Sequence, residues 1–197
     1  DVVGALRGLT GFFLDLYDAP KLVAAELERV GSLVCDVFDM HFALVPPKLG
    51  GYGYIFGYWA PAPSVAIQED MMGLASPNIF ADLFLDHEMR LVEHLGPYTF
   101  FHVHATGYAH YPHLLKIPGL AGIQMTVESN GPSLQALVPV MQEILQRTRL
   151  IIFVDAFFDE LADVAKKLPR DGLYVMVSDK FVESEDAYHD LLARAWP

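Results

Sequence analysis

Five short apolar runs, separated by stretches of helical periodicity, dominate the second two thirds of the chain. Apolar runs of this length, rich in branched and aromatic residues, are typical of strands buried on both faces. They predict strands at residues 64–68, 98–104, 122–127, 150–155 and 173–177. Apolar residues at helical spacing between these runs predict helices at residues 77–95, 133–147, 158–168 and 184–195.

The earlier part of the chain has a different pattern. We interpret the first twenty positions as a connecting segment, and the apolar spacing after them predicts one long helix over residues 20–45. A stretch rich in glycine and aromatic residues follows at 50–63, and it forms either a wall for an organic ligand or a self-packed loop. We expect Phe56 and Trp59 to be buried, and Trp59 to approach the site predicted below.

Strands that alternate with helices indicate a parallel sheet covered by helices. The pattern thus predicts an α/β fold, either an open doubly wound sheet or part of a (β/α)-barrel. A length of 197 residues suits a single domain spanning residues 1–197.

The composition of the chain restricts the classes of partner that it is expected to bind. A formal net charge of −12 argues against a nucleic-acid or anionic-membrane surface, and no uninterrupted apolar run reaches the roughly 18 residues that a membrane span needs. The single cysteine, Cys35, excludes an internal disulfide and fits a reducing compartment, so we expect a cytoplasmic protein that binds a small-molecule substrate.

Candidate chemistry lies where the predicted strands end, because parallel sheets form their ligand sites at the carboxyl ends of their strands. Side chains two apart on a strand point the same way, so His102 and His104 face one space suited to an ion or an anionic group. The catalytic candidates are His102, His104 and Asp155, and the ligand-binding candidates are Asp70, Gln124, Glu128, Trp59 and Asp179. In a metal-free alternative His102 transfers a proton and Asp155 orients its ring.

Several segments of the chain carry a family pattern, and they are residues 70–80 (DMMGLASPNIF), 101–107 (FHVHATG) and 113–124 (HLLKIPGLAGIQ), with residues 6–8 and 15–20 in addition. Together these segments resemble the uroporphyrinogen decarboxylase superfamily. It implies a partial (β/α)8 barrel of the TIM type, in which this chain supplies about five parallel strands from the C-terminal part. The outer strands would then have unpaired edges, so we expect a homo-oligomer formed through them, or a helix or loop folded over an edge.

The resemblance also implies a range of functions. Methyltransferases of this superfamily hold zinc on a His-x-Cys strand end and a later cysteine. Here His102 matches the first ligand, His104 replaces the second, and a carboxylate such as Glu69, Asp155 or Asp179 could complete a zinc site. The decarboxylases carry a Gly-His segment that would fall near residues 178–181, which contain neither residue type.

Metal-assisted methyl transfer on a small organic molecule is therefore the first functional hypothesis. Decarboxylation of a tetrapyrrole or a related carboxylate is the second. A non-catalytic or fragmentary binding protein is the third.

Overall fold

Helices and strands alternate through most of the computed structural model, which describes residues 1–54, 56–181 and 185–195. The helices are α1 (Val2–Arg7), α2 (Leu9–Asp18), α3 (Pro20–Leu44), α4 (Pro77–Leu83), α5 (Leu85–Leu95), α6 (Tyr111–Leu114), α7 (Leu134–Leu145), α8 (Leu161–Ala165) and α9 (Glu185–Ala195). The strands are β1 (Tyr52–Gly53), β2 (Trp59–Ala60), β3 (Val65–Gln68), β4 (Thr99–Val103), β5 (Gly122–Val127), β6 (Arg149–Val154) and β7 (Leu173–Val177). Short 3-10 helices follow four of the strands, at Asp70–Leu74, Ala105–His110, Phe158–Glu160 and Asp179–Phe181.

The central sheet has five parallel strands in the order β3-β4-β5-β6-β7, which confirms the predicted α/β class. Within this sheet, each strand thus pairs only with its neighbours in chain order. Right-handed connections between neighbours in this order place all the connecting helices on one face of the sheet. This arrangement is that of a partial barrel, and the sheet is open because no pairing joins β3 to β7 in the described residues.

The two faces of the sheet have different partners. Alternate residues such as Ile123 and Met125 face the helices and belong to the main hydrophobic core, to which all nine described helices contribute. The opposite face, which we call the inner face, carries a smaller cluster around Phe100 and Ile151. Tyr58, from the segment between α3 and β3, packs on this cluster.

The prediction that the first twenty residues form a connecting segment is wrong. They form α1 and α2, which bury Phe12 and Leu16 in the main core. The helix predicted at residues 77–95 also differs, because it is divided at Phe84 into α4 and α5. Ser76 caps α4, since its hydroxyl accepts a hydrogen bond from the Ile79 N–H.

The glycine- and aromatic-rich segment contains a small antiparallel hairpin formed by β1 and β2. The expectation that Trp59 is buried is wrong, because 52% of its surface is exposed. Trp59 lies in β2 beside Tyr98 and Arg149, where β4 and β6 begin, and thus at the end of the sheet opposite to the strand-end residues. Phe56, also expected to be buried, is half-buried.

Strand β3 is an edge of the sheet, and a groove runs beside it. Helix α3 lies across this groove, so a helix does stand next to the edge although it offers no backbone pairing. Among the helices of the described residues, none combines the length and the apolar character needed to cross a bilayer.

Candidate metal centre

Asp70, His102 and His104 converge at the carboxyl ends of β3 and β4. One ligand atom from each side chain lies within 4.8 Å of the other two, and in the described residues they form the one group of this kind. Asp70 Oδ1 is 4.0 Å from His102 Nε2 and 3.8 Å from His104 Nε2. These separations are too long for direct hydrogen bonds and slightly exceed the roughly 3.4 Å between two ligands of one tetrahedral zinc ion.

Strand register and two tight turns bring the three residues together. Gln68, His102 and Gln124 occupy one row across β3, β4 and β5, so their side chains share the inner face. Asp70 and His104 each follow two residues later, where their strands pass into 3-10 helices.

The two 3-10 helices approach each other closely at Gly73. A Cβ atom at this position would lie 2.4 Å from Thr106 Oγ1, so any larger residue would separate the turns that carry Asp70 and His104. His110 Nε2 donates to the Met72 carbonyl at 2.8 Å and ties the same two turns together. His110 is therefore a structural residue at the margin of the site.

Each histidine is oriented by a hydrogen bond at Nδ1. Gln124 donates through Nε2 to Thr126 Oγ1 at 3.2 Å, which directs its Oε1 towards His102 Nδ1. His104 Nδ1 lies 3.0 Å from Glu128 Oε2. Because both partners are acceptors, both Nδ1 atoms carry a proton, and in the neutral form of each ring Nε2 keeps a lone pair.

His102 is 5% exposed, and its Nε2 is buried without a hydrogen-bond partner. Burial lowers the pKa of His102, against the opposing effect of the hydrogen bond with Gln124, and the ring is therefore neutral near pH 7. A neutral imidazole with an unpartnered lone pair is the form that binds a metal ion. The ring of Phe56 stacks on that of His102, with centroids 5.3 Å apart and planes 10° apart, and covers one side of it.

The site is small but reaches solvent. The cavity next to the three side chains has a volume of about 10 Å³, close to that of a single water position. The side chains of His104 and Asp70 are 33% and 40% exposed, so an ion held between them would have at least one position open to solvent. An organic molecule would have to approach from this open side.

Some of the residues predicted from the sequence lie next to His102 and His104, and others lie elsewhere. Asp70, Gln124 and Glu128 all join the histidines. Asp155 instead pairs with Lys180 at 2.8 Å, and this hydrogen bond lowers the pKa of Asp155. The carboxylate beside His102 is therefore Asp70 and not Asp155.

The other predicted residues also lie apart from the histidines. Glu69 accepts a hydrogen bond from the amino group of Asp1 at 2.7 Å. Asp179 begins the 3-10 helix after β7, and Trp59 lies at the opposite end of the sheet.

Sequence analysis named Asp70 as a ligand-binding residue but not as a metal ligand. Its position depends on the 3-10 turn after β3, which turns the Asp70 carboxylate towards β4. The strand register could have indicated this position of Asp70. Gln68 pairs with His102, and Asp70 follows Gln68 by the same two positions that separate His104 from His102. The roles of Gln124 and Glu128 follow from the same alternation on β5.

Comparisons of this chain with models of protein families, with curated proteins and with solved structures find no match.

Proposed function

We propose that this protein binds one divalent transition-metal ion through Asp70, His102 and His104, and that zinc is its metal. The observation that carries this proposal is the buried, unpartnered Nε2 of His102, which lies 4.0 Å from the Asp70 carboxylate. An ion between these atoms would provide the partner that His102 Nε2 lacks. The acceptors at both Nδ1 atoms support the proposal, because metal-binding histidines usually donate their second N–H to such a group.

Two imidazoles and one carboxylate form a set of ligands that suits a catalytic metal. Three protein ligands leave a coordination position for water or substrate, and nitrogen and oxygen ligands leave zinc a stronger Lewis acid than thiolates would. The same three ligands also bind ferrous iron in other proteins, so the metal must be identified by analysis.

We further propose that the protein is a member of the uroporphyrinogen decarboxylase superfamily and transfers a methyl or similar group to or from a small organic molecule. The open parallel sheet with sequential strands and the histidine pair at the end of β4 support this proposal. Decarboxylation of a polycarboxylate is less well supported, because the groups around the site are the carboxylates of Asp70 and Glu128 and not arginines. The half-buried free thiol of Cys35 fits the reducing cytoplasm as the location.

Metal analysis of the purified protein tests the proposal. We expect one zinc ion per chain by elemental analysis and by calorimetric titration of the metal-stripped protein with zinc. The Asp70→Asn variant should bind zinc more weakly, and the His102→Ala, His104→Ala double variant should not bind it. His94→Ala is the matched control, since His94 lies on α5 and is paired with Asp39 at the surface.

Equal zinc content in the double variant and the unchanged protein would exclude this metal site. If elemental analysis finds iron and not zinc, the identity of the proposed metal changes and the three proposed ligands stay the same. Zinc binding without any methyl-transfer activity on thiol and methylated-amine substrates would favour a binding protein over an enzyme.

A further inference from the structure

A second pocket lies at the amino ends of the strands, at the end of the sheet away from the metal centre. It has a volume of about 320 Å³, within the range of about 300–1,000 Å³ that is usual for small-molecule sites. Its floor is the inner face of β4, β6 and β7, and β2 forms one side. Aromatic side chains and one arginine line it, namely Tyr58, Trp59, Tyr98, Phe100, Tyr174 and Arg149.

The register of the sheet places Arg149 near an aromatic ring. Phe100, Gly122 and Arg149 form one row across β4, β5 and β6, so the side chains of Phe100 and Arg149 point to the same inner face. Gly122 has no side chain to separate them, and a Cβ atom there would lie 2.8 Å from the Phe100 ring. The Phe100 ring therefore lies over the glycine, and the arginine follows on the next strand.

The guanidinium of Arg149 has few partners within the protein. Among the described residues it donates one hydrogen bond, to the Ala121 carbonyl at 3.5 Å, and it forms no ion pair with them. In the same part of the chain no aspartate or glutamate lines the pocket. An arginine without an acidic neighbour, in a chain of net charge −12, is a site of local attraction for an anion from solution.

Two of the aromatic side chains are held in place although much of their surface is uncovered. Trp59 is 52% exposed and Tyr174 is 41% exposed. The indole of Trp59 lies against Gly51, where a Cβ atom would be 2.5 Å from the ring. The Tyr174 hydroxyl donates to the Gly57 carbonyl at 3.2 Å. Rings that are already held lose little conformational freedom when a flat molecule packs on them, and this favours binding.

An arginine beside exposed aromatic rings matches a molecule with a flat apolar body and a negative charge. A carboxylate accepts two parallel hydrogen bonds from the planar guanidinium, and its single charge is balanced by one arginine. A phosphate monoester carries about −1.5 to −2 charges at pH 7, which Arg149 alone would not neutralise. The lining of the pocket therefore favours a carboxylate.

We propose that this pocket binds a planar aromatic monocarboxylate, with its ring on Trp59 and Tyr174 and its carboxylate on Arg149. The proposal is independent of the metal centre, because none of the three proposed metal ligands lines this pocket.

Titration with 2-naphthoate tests the proposal, and the neutral analogue 2-naphthamide separates the contribution of the charge from that of the ring. We expect calorimetry to give one naphthoate site per chain with a dissociation constant below about 1 mM, and at least about tenfold weaker binding of the naphthamide. The naphthoate affinity should be the same with and without zinc. In NMR spectra the Trp59 indole N–H and the Arg149 Nε–H should shift on binding, and the His102 ring should not.

Variants of the arginine test its role directly. Arg149→Gln should weaken naphthoate binding at least about tenfold and leave the naphthamide affinity unchanged. Arg149→Lys, which keeps the charge without the planar fork, should fall between the two. The matched control is Arg147→Gln, since Arg147 lies two residues earlier and pairs with Glu143 at 3.9 Å. Trp59→Ala should weaken the binding of both probes.

The proposal is wrong if naphthoate shows no saturable binding, or if Arg149→Gln binds it as tightly as the unchanged protein does. Shifts of the His102 ring without shifts of Trp59 and Arg149 would place the probe at the metal centre and would also overturn the proposal. Tighter binding of 2-naphthyl phosphate than of naphthoate would exclude the assignment to a carboxylate. If Arg149→Gln does not fold, Arg149→Lys and the comparison of the two probes on the unchanged protein decide the outcome.

Discussion

At the scale of single residues, the hydrogen bonds behind His102 and His104 determine which atoms these rings offer to the site. Gln124 and Glu128 fix the tautomer of each ring, and neither touches the space between the Nε2 atoms. The metal affinity of the proposed site can therefore fall while all three proposed ligands stay in place. An experiment can thus distinguish the residues that orient the rings from the residues that bind the metal.

We expect Gln124→Leu to weaken zinc binding by about 10- to 100-fold while the stoichiometry stays at one, because His102 loses the acceptor that holds its Nδ1 proton. Competition with a chelator of known affinity measures the change. Gln142→Leu is the control, since Gln142 lies on α7 and donates to the Lys167 carbonyl at the surface. An unchanged affinity in Gln124→Leu would mean that the Gln124 contact does not orient the ring.

Glu88 is fully buried, and neither of its carboxylate oxygens has a hydrogen-bond partner. Burial raises the pKa of Glu88 well above its ordinary value, and the nearby Glu69 raises it further. The folded protein therefore binds this proton more tightly than the unfolded chain does. The stability contributed by protonated Glu88 is complete below the ordinary glutamate pKa of about 4.3 and is lost as pH rises towards the folded-state value.

Glu88→Leu should consequently increase the free energy of unfolding at neutral pH by roughly 1–3 kcal/mol, since it removes an unsatisfied buried group. The difference from the unchanged protein should shrink as pH falls, which urea unfolding at pH 5 and pH 8 can measure. Glu88→Gln, which cannot ionise but remains polar, serves as the control. A difference that does not vary with pH would contradict the raised pKa.

At the scale of elements, the strands and most of the long helices were predicted within a few residues, and the exceptions are the division of one helix and the two helices in the first twenty residues. The strands β4, β5 and β6 are buried on both faces, so each appears in the sequence as an uninterrupted apolar run. The division between α4 and α5 at Phe84 has no glycine or proline to mark it. Helix α2 was missed because Gly8 and Pro20, which lie on either side of it, suggest a loop when read locally.

The absence of a side chain at Gly122 allows β5 to pack closely against both β4 and β6. A Cβ atom on Gly122 would lie 2.5 Å from the Arg149 carbonyl oxygen on β6 and 2.8 Å from the Phe100 ring on β4. Gly122→Ala should therefore destabilise the sheet by about 1–3 kcal/mol, because backbone and a buried ring would have to move. Denaturant unfolding measures the loss.

Gly53→Ala is the matched control for this substitution, since a Cβ atom there meets no atom within 4 Å. Equal effects of the two substitutions would mean that loss of glycine flexibility, and not crowding between strands, sets the outcome.

At the scale of the whole molecule, the sequence predicted that His102 and His104 lie together but not which carboxylate lies beside them. Alternation along β4 was enough to pair His102 with His104, because side-chain direction on a strand is a local property. The choice of Asp70 over Asp155 as the carboxylate depends on how the turn after β3 packs on the turn after β4, and no local pattern reports such packing. The free edge of β3 was likewise expected, whereas the groove beside it arises from the placement of α3 and the hairpin.

The sequential order of the strands also bears on how the protein is made. Since each strand of the sheet pairs only with strands adjacent to it in the chain, no strand must wait for a distant segment before it can form hydrogen bonds. During synthesis on the ribosome, each newly emerged strand and helix can add to the layer formed before it. The direction of translation is then also the order in which each strand's pairing partner becomes available, from β3 to β7.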